Sequence, residues 1–286
     1  MVLFQNKIVY MSYLPPGSRQ PIELPQNPSG HLFEKLTVRT VDNCTLEGIS
    51  VRRKESLEAA VLPEPKQVLL YFHGNAGNVG HRIPVFATFT RAVPDIAVVA
   101  FDYRGYGGST GSPSEKGLQQ DSLCILNYVE KKFPHSQIFL YGHSLGGAVA
   151  AYLAHQVETR HPEKSRVAGL VLENTFTSIM DMVHHLYPAW LPYRYLAKWF
   201  LWNRWESETL MKQMRRTPVL ILSSQQDAIV PTDMMLNLWK SLELSSRLNT
   251  SKIVKFPYGT HENTYQQSGF KEEIRSFIAG NSVGNS

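Results

Sequence analysis

Gly142-His143-Ser144-Leu145-Gly146 is the stretch of this sequence with the residue types for covalent chemistry. It follows an apolar run ending at Tyr141 and precedes the small-residue stretch Gly147-Ala148-Val149-Ala150-Ala151. A serine on a strand-to-helix turn sits in a strained backbone conformation, and glycines two before and two after it leave room that any side chain would fill. The start of the following helix also offers backbone N–H groups to an anion. Gly-x-Ser-x-Gly alone arises by chance, but its strand–turn–helix setting reads as a nucleophile elbow.

A serine hydroxyl attacks well only when a histidine takes its proton, and a carboxylate must hold that histidine in the right tautomer. On an open sheet the chain order of the three is Ser, acid, His. Asp227 stands in the loop after Leu222-Ser223-Ser224, and His261 closes the loop Phe256-Pro257-Tyr258-Gly259-Thr260-His261. Ser144, Asp227 and His261 are thus expected at the carboxyl ends of three strands, as nucleophile, acid and base. Glu173 is the serious rival to Asp227. A merely structural role suits His143, His184 and His185 better than it suits a Ser–Asp–His order at three strand ends.

The oxyanion of a tetrahedral intermediate needs two backbone donors. Leu145 N–H is one candidate. The other lies in His73-Gly74-Asn75-Ala76-Gly77-Asn78, with Asn75 N–H preferred and Ala76 the alternative. No Gly-Lys-Ser/Thr follows these glycines, so the loop does not read as a phosphate loop. His73 reads as a scaffold residue, and Phe101 to Ser109 as a tight structural loop beneath the site.

An open sheet has to hold these residues in place. Leu36 to Thr40 and Thr45 to Val51 alternate polar and apolar, as half-exposed antiparallel strands do. Short continuous apolar runs follow at 68–72, 96–101, 138–141, 167–172 and 219–222, the pattern of parallel strands covered on both faces, and a last strand is expected at 252–256. Helical spacing fills 82–92, 114–132, 146–158, 232–242 and 270–278, with Ser114 as the cap of the second. The fold class is α/β: a mostly parallel central sheet with an antiparallel N-terminal strand pair and a helical lid insertion. Residues 1–30, rich in Pro, Gly, Ser and Asn, read as an extended arm, and 31–286 as one domain with the insertion at about 176–214.

That insertion holds four of the five tryptophans. Lying over the carboxyl ends of the strands, it stands where such sheets bind ligands. Trp190, Trp199 and Trp202 are the candidates to line a lid and acyl pocket. Arg194, Lys198 and Arg204 are interleaved with them, as on a helix at a membrane surface. The alternative is that the tryptophans only pack the insertion onto the sheet.

Composition narrows the classes further. The chain has 286 residues, 43% hydrophobic and 19% charged, enough for a large core without metal or disulfide staples. A net charge of +5 without a dense basic block argues against nucleic acid as a partner. Cys44 and Cys124 are too few and too far apart for a disulfide framework or a zinc site, and read as buried free thiols. No metal or cofactor is expected. Leu186 to Trp202 is too interrupted to span a membrane, and the first residues are no signal peptide, so the chain reads as soluble.

Five segments together carry a family resemblance: His73 to Asn78, Asp102 to Gly107, Gly142 to Gly147, Glu173 to Phe176 and Gly259 to Thr264. The chain resembles the α/β-hydrolase-fold serine hydrolases, in the group of the bud-emergence and wavy-growth proteins and α/β-hydrolase domain-containing protein 13. The resemblance implies that fold and a Ser144–Asp227–His261 triad. It also implies membrane association, at the endoplasmic reticulum or plasma membrane, because members carry an amino-terminal anchor and this chain begins about where the anchor should end. The expected activity is hydrolysis of carboxylic ester or thioester bonds of acyl or lipid substrates through an acyl-enzyme. The alternatives are a protein depalmitoylase, or a non-catalytic lipid- or partner-binding protein on the same fold. A dehalogenase or epoxide hydrolase needs a carboxylate at position 144 and is excluded.

Overall fold

A computed structural model of the chain describes residues 5–26, 30–54, 63–160, 165–243 and 250–282. Eight strands form one sheet: β1 (His31–Arg39), β2 (Thr45–Arg53), β3 (Gln67–Phe72), β4 (Ile96–Phe101), β5 (Gln137–His143), β6 (Val167–Glu173), β7 (Val219–Ser224) and β8 (Lys252–Phe256). Their order across the sheet is β1-β2-β4-β3-β5-β6-β7-β8. β2 pairs antiparallel with both β1 and β4, and every other pairing is parallel. The apolar runs explain this division. β4 and β7 are buried at every residue and need cover on both faces, whereas β1 alternates between buried and exposed positions.

Nine α-helices are present among the described residues: α1 (Gln5–Val9), α2 (Ile83–Ala92), α3 (Glu115–Lys132), α4 (Leu145–Arg160), α5 (Ile179–Leu186), α6 (Tyr193–Phe200), α7 (Ser207–Gln213), α8 (Thr232–Glu243) and α9 (Phe270–Asn281). On one face of the sheet Leu118 and Ile125 of α3, Val149 and Leu153 of α4, Met211 of α7 and Leu238 of α8 share one buried cluster. On the other, Phe86 and Phe89 of α2 pack with Phe270, Ile274 and Phe277 of α9. Each such side chain removed from water contributes about 1.5–3 kcal/mol. Ser114 caps α3 as expected, its Oγ accepting from Gly117 N–H at 3.1 Å.

Three readings change. The amino-terminal arm is not all extended, since α1 forms within it. β1 begins at His31, five residues before the clean alternation starts. Cys44 and Cys124 are free but half-buried, because both lie near the sheet's antiparallel edge, where cover is thinner.

Candidate active site

The turn after β5 is built around crowding. A Cβ on Gly142 would fall 2.2 Å from the Gly146 carbonyl oxygen, and one on Gly146 would fall 2.0 Å from that of Phe72. Ser144 itself sits at φ 54°, in the left-handed region that costs a residue with a side chain. Its N–H donates to the Glu173 carbonyl at 3.0 Å, and its own carbonyl accepts from Thr175 Oγ1 at 2.7 Å. The side chain is mostly buried at the mouth of α4.

His261 stands in the loop after β8, with Nδ1 2.7 Å from Asp227 Oδ2. A carboxylate only accepts, so Nδ1 carries the proton and Nε2 is left as the base position. Asp227 is fixed in turn: its Oδ1 accepts from Ile229 N–H at 2.8 Å and Val230 N–H at 2.9 Å. Glu173, the rival acid, is buried against Tyr141, whose hydroxyl donates to Glu173 Oε2 at 2.7 Å. The carboxylate beside the imidazole is that of Asp227.

His143 and Asn174 tie the elbow to the His261 loop. His143 Nε2 lies 2.8 Å from the His261 carbonyl oxygen, so that nitrogen is the donor, and burial lowers the pKa of its ring. The two imidazoles approach to 4.9 Å between centroids. Asn174, at φ 46°, spans three loops. Its Nδ2 donates to the His261 carbonyl at 3.2 Å and to Thr264 Oγ1 at 2.9 Å, while Oδ1 accepts from Ser224 N–H at 2.9 Å. Sequence reasoning missed Asn174. Its only signal was membership in the Glu173-Asn174-Thr175 motif. His143, His261 and Glu262 bring potential metal donors within 4.8 Å of one another, but their protein partners account for the cluster: Asp227 holds His261, the His261 carbonyl takes His143 N–H, and Arg82 pairs with Glu262.

The glycine loop after β3 lies against the elbow. A Cβ on Gly74 would meet His143 Nδ1 at 2.9 Å and Ser144 Cβ at 3.5 Å. As the first residue of α4, Leu145 has an N–H without an intrahelical acceptor. His73 supports the loop from below: its Nδ1 lies 2.8 Å from the Gly74 carbonyl oxygen, its ring packs 4.3 Å from that of Tyr103, and its carbonyl accepts from Tyr103 OH at 2.9 Å. Asp102 approaches His73 Nε2 at 3.6 Å, and both side chains are fully buried. Burial pushes the Asp102 carboxyl up to about 7 and the His73 imidazole down to about 3, so both favour their neutral forms. Arg104, in the loop after β4 that carries Asp102 and Tyr103, holds that loop to the body through Asp42 at 2.6 Å and Asp121 at 2.7 Å.

The insertion departs from expectation. Trp190 is 80% exposed, Trp199 78% and Trp202 51%, while Trp205 is 1% exposed. Trp190 and Trp199 are therefore too exposed to line an enclosed acyl pocket. Trp202 lines a surface cleft with Lys7 and Tyr13 to which Ser144 does not contribute. Trp205 is the one that packs inward, its Nε1–H donating to Tyr10 OH at 3.0 Å.

The family model described as serine aminopeptidase, S33 matches residues 63–245. Protein bem46 of Schizosaccharomyces pombe is 36% identical over 283 residues, which cover 98% of this chain and 87% of bem46. The chain belongs to the α/β-hydrolase family. A second relative of this α/β hydrolase, lysophosphatidylserine lipase ABHD12 of Danio rerio, is 32% identical over 227 residues, covering 74% of this chain and 58% of that protein. Among solved structures, the α/β hydrolase of Vibrio vulnificus superposes with a TM-score of 0.74 over 96% of this chain and 92% of its own, at 22% identity, a likeness of fold. Family membership makes the chain hydrolase-type. No helix among the described residues is long and apolar enough to cross a membrane.

Proposed function

We propose that the protein is a serine hydrolase that cleaves carboxylic ester or thioester bonds of acyl lipids through Ser144, His261 and Asp227. The observation that carries this reading is the 2.7 Å bond from His261 Nδ1 to Asp227, at the same sheet edge as a serine held at φ 54°. Ser144 Oγ attacks the carbonyl carbon and gives its proton to His261 Nε2, while Asp227 stabilises the imidazolium. The Leu145 and Asn75 N–H groups receive the oxyanion, each donor being worth about 2.7–4 kcal/mol in the transition state. Collapse expels the alcohol or thiol, which takes the proton from His261. Water, deprotonated by the same imidazole, then releases the acid from acyl-Ser144.

Two observations favour lipid acyl groups. The zebrafish relative is named as a lysophosphatidylserine lipase. The insertion exposes Trp190, Tyr195, Trp199, Phe200 and Trp202 together, and the exposed cations Lys198 and Arg204 lie among them. Aromatic rings beside basic residues suit the headgroup region of an anionic bilayer, so the insertion is read as a membrane-facing lid that delivers long acyl chains. The test is labelling with a fluorophosphonate probe. Ser144 should be modified in the wild type and Ser144→Ala should not react, whereas a non-catalytic binding protein would leave the wild type unlabelled.

A further inference from the structure

The side chain of Asn75 does not face substrate; it is consumed by three hydrogen bonds from two directions. Its Oδ1 accepts from Tyr106 OH at 2.8 Å and from Met11 N–H at 3.1 Å, and its Nδ2 donates to the Val9 carbonyl at 2.7 Å. The amino-terminal segment continues along the same loop, where Leu14 O accepts from Gly77 N–H at 2.7 Å. Its other side is clamped to the insertion. Tyr10, fully buried, donates its hydroxyl to Asn203 Oδ1 at 2.9 Å and accepts from Trp205 Nε1 at 3.0 Å. Gln5 adds a bond to the Phe200 carbonyl at 2.9 Å.

We infer that residues 9–14 form a strap that fixes the direction of the Asn75 N–H, with Asn75 and Tyr106 as positioning residues that act through that donor. The inference rests on the oxyanion role given to Asn75 above. The Asn75 N–H shares a rigid peptide plane with the Gly74 carbonyl, which lies 2.8 Å from His73 Nδ1. The three bonds to the Asn75 side chain fix the Cα at the other end of that plane, so the donor has little freedom to swing. A donor held in advance stabilises an oxyanion, whereas one that must be reoriented loses much of that effect. Because the strap is also bonded to Asn203 and Trp205, the foot of the aromatic insertion and the oxyanion loop share one hydrogen-bonded connection.

The test compares Asn75→Ala, Tyr106→Phe and their double variant in steady-state kinetics, together with inhibition by an acyl trifluoromethyl ketone, which forms a hemiketal oxyanion on the serine. Each single variant should lower kcat roughly 10- to 100-fold with KM nearly unchanged. The inhibitor's Ki should rise by the factor by which kcat/KM falls. The double variant should be no worse than Asn75→Ala, since both changes act through one carboxamide oxygen. Tyr106→Phe alters no shape, and it keeps the test decisive if Asn75→Ala fails to fold. An unchanged kcat, a Ki that does not follow kcat/KM, or additive losses would overturn the strap's role. If the wild type itself resists the fluorophosphonate, the serine-hydrolase reading falls and the strap's role falls with it. A labelled wild type with fully active variants removes the strap alone.

Discussion

At Ser144 the fold holds a residue with a side chain at positive φ, a conformation that costs about 1–3 kcal/mol and persists only when neighbours over-determine it. Glu173 and Thr175 supply that constraint through main-chain atoms of Ser144, so the hydroxyl is free of structural duty. Ser144→Ala should therefore fold normally and lose nearly all esterase kcat/KM; retention of more than a few per cent would remove Ser144 as nucleophile. Asp227→Asn should lower kcat about 10⁴-fold, because an amide facing His261 Nδ1 favours the wrong tautomer. Glu173→Gln should cost far less, its partner being the Tyr141 hydroxyl, and the reverse order of the two losses would hand the acid role to Glu173. Asp102 has a different signature. With its carboxyl raised to about 7 by burial, the folded chain keeps a proton between pH 4 and 7 that the unfolded chain has released. This contribution to stability weakens as pH rises through that window, and Asp102→Asn lacks it. The variant should gain on wild type by roughly 3 kcal/mol between about pH 5 and about pH 8, read from urea midpoints. A constant difference would mean that Asp102 is charged in the fold at both pH values.

Elements differ in how openly the sequence declares them. β3 to β7 were legible because a strand buried on both faces must be apolar throughout, and the elbow because steric crowding admits only glycine at 142 and 146. Ser144, Asp227 and His261 were legible because the ends of parallel strands line one edge. Asn174 was not, since its partners lie 50, 87 and 90 residues away and no local pattern encodes them. The strap was hidden for a related reason: Pro, Gly and Ser announce irregular chain, not which distant amide that chain will satisfy. The insertion showed its aromatic content but not its orientation, and only Trp205 of its four tryptophans turns inward. If the outward ones meet a bilayer, Trp199→Ala/Trp202→Ala should weaken binding to anionic liposomes several-fold and narrow the preference for long acyl p-nitrophenyl esters. Short-ester turnover should stay unchanged. Equal liposome binding and an identical chain-length profile would refute the membrane-facing role.

Across the whole molecule, apolar surface is divided between two buried layers, one on each face of the sheet, and a third patch left in the open on the insertion. Monomeric soluble proteins seldom expose so many large rings together without a use for them. The patch belongs to a piece of chain whose two ends meet: Ile179 N–H donates to the Arg204 carbonyl at 2.9 Å, and Glu208 N–H to that of Thr177 at 3.1 Å. Most of the chain between those contacts is exposed and returns to the same spot; the exceptions are Met182, packed against the core, Leu201 and Asn203, which are buried, and the backbone of Phe200 and Trp202, bonded to Gln5. The length of the exposed part is thus nearly independent of the sheet beneath it. On this geometry residues 183–199 should behave as an interchangeable cartridge. A shorter or differently coloured loop can be spliced between the same two feet, leaving Asn203 and Trp205 in place, and the choice of surface to which this hydrolase is delivered becomes separable from the bond it breaks.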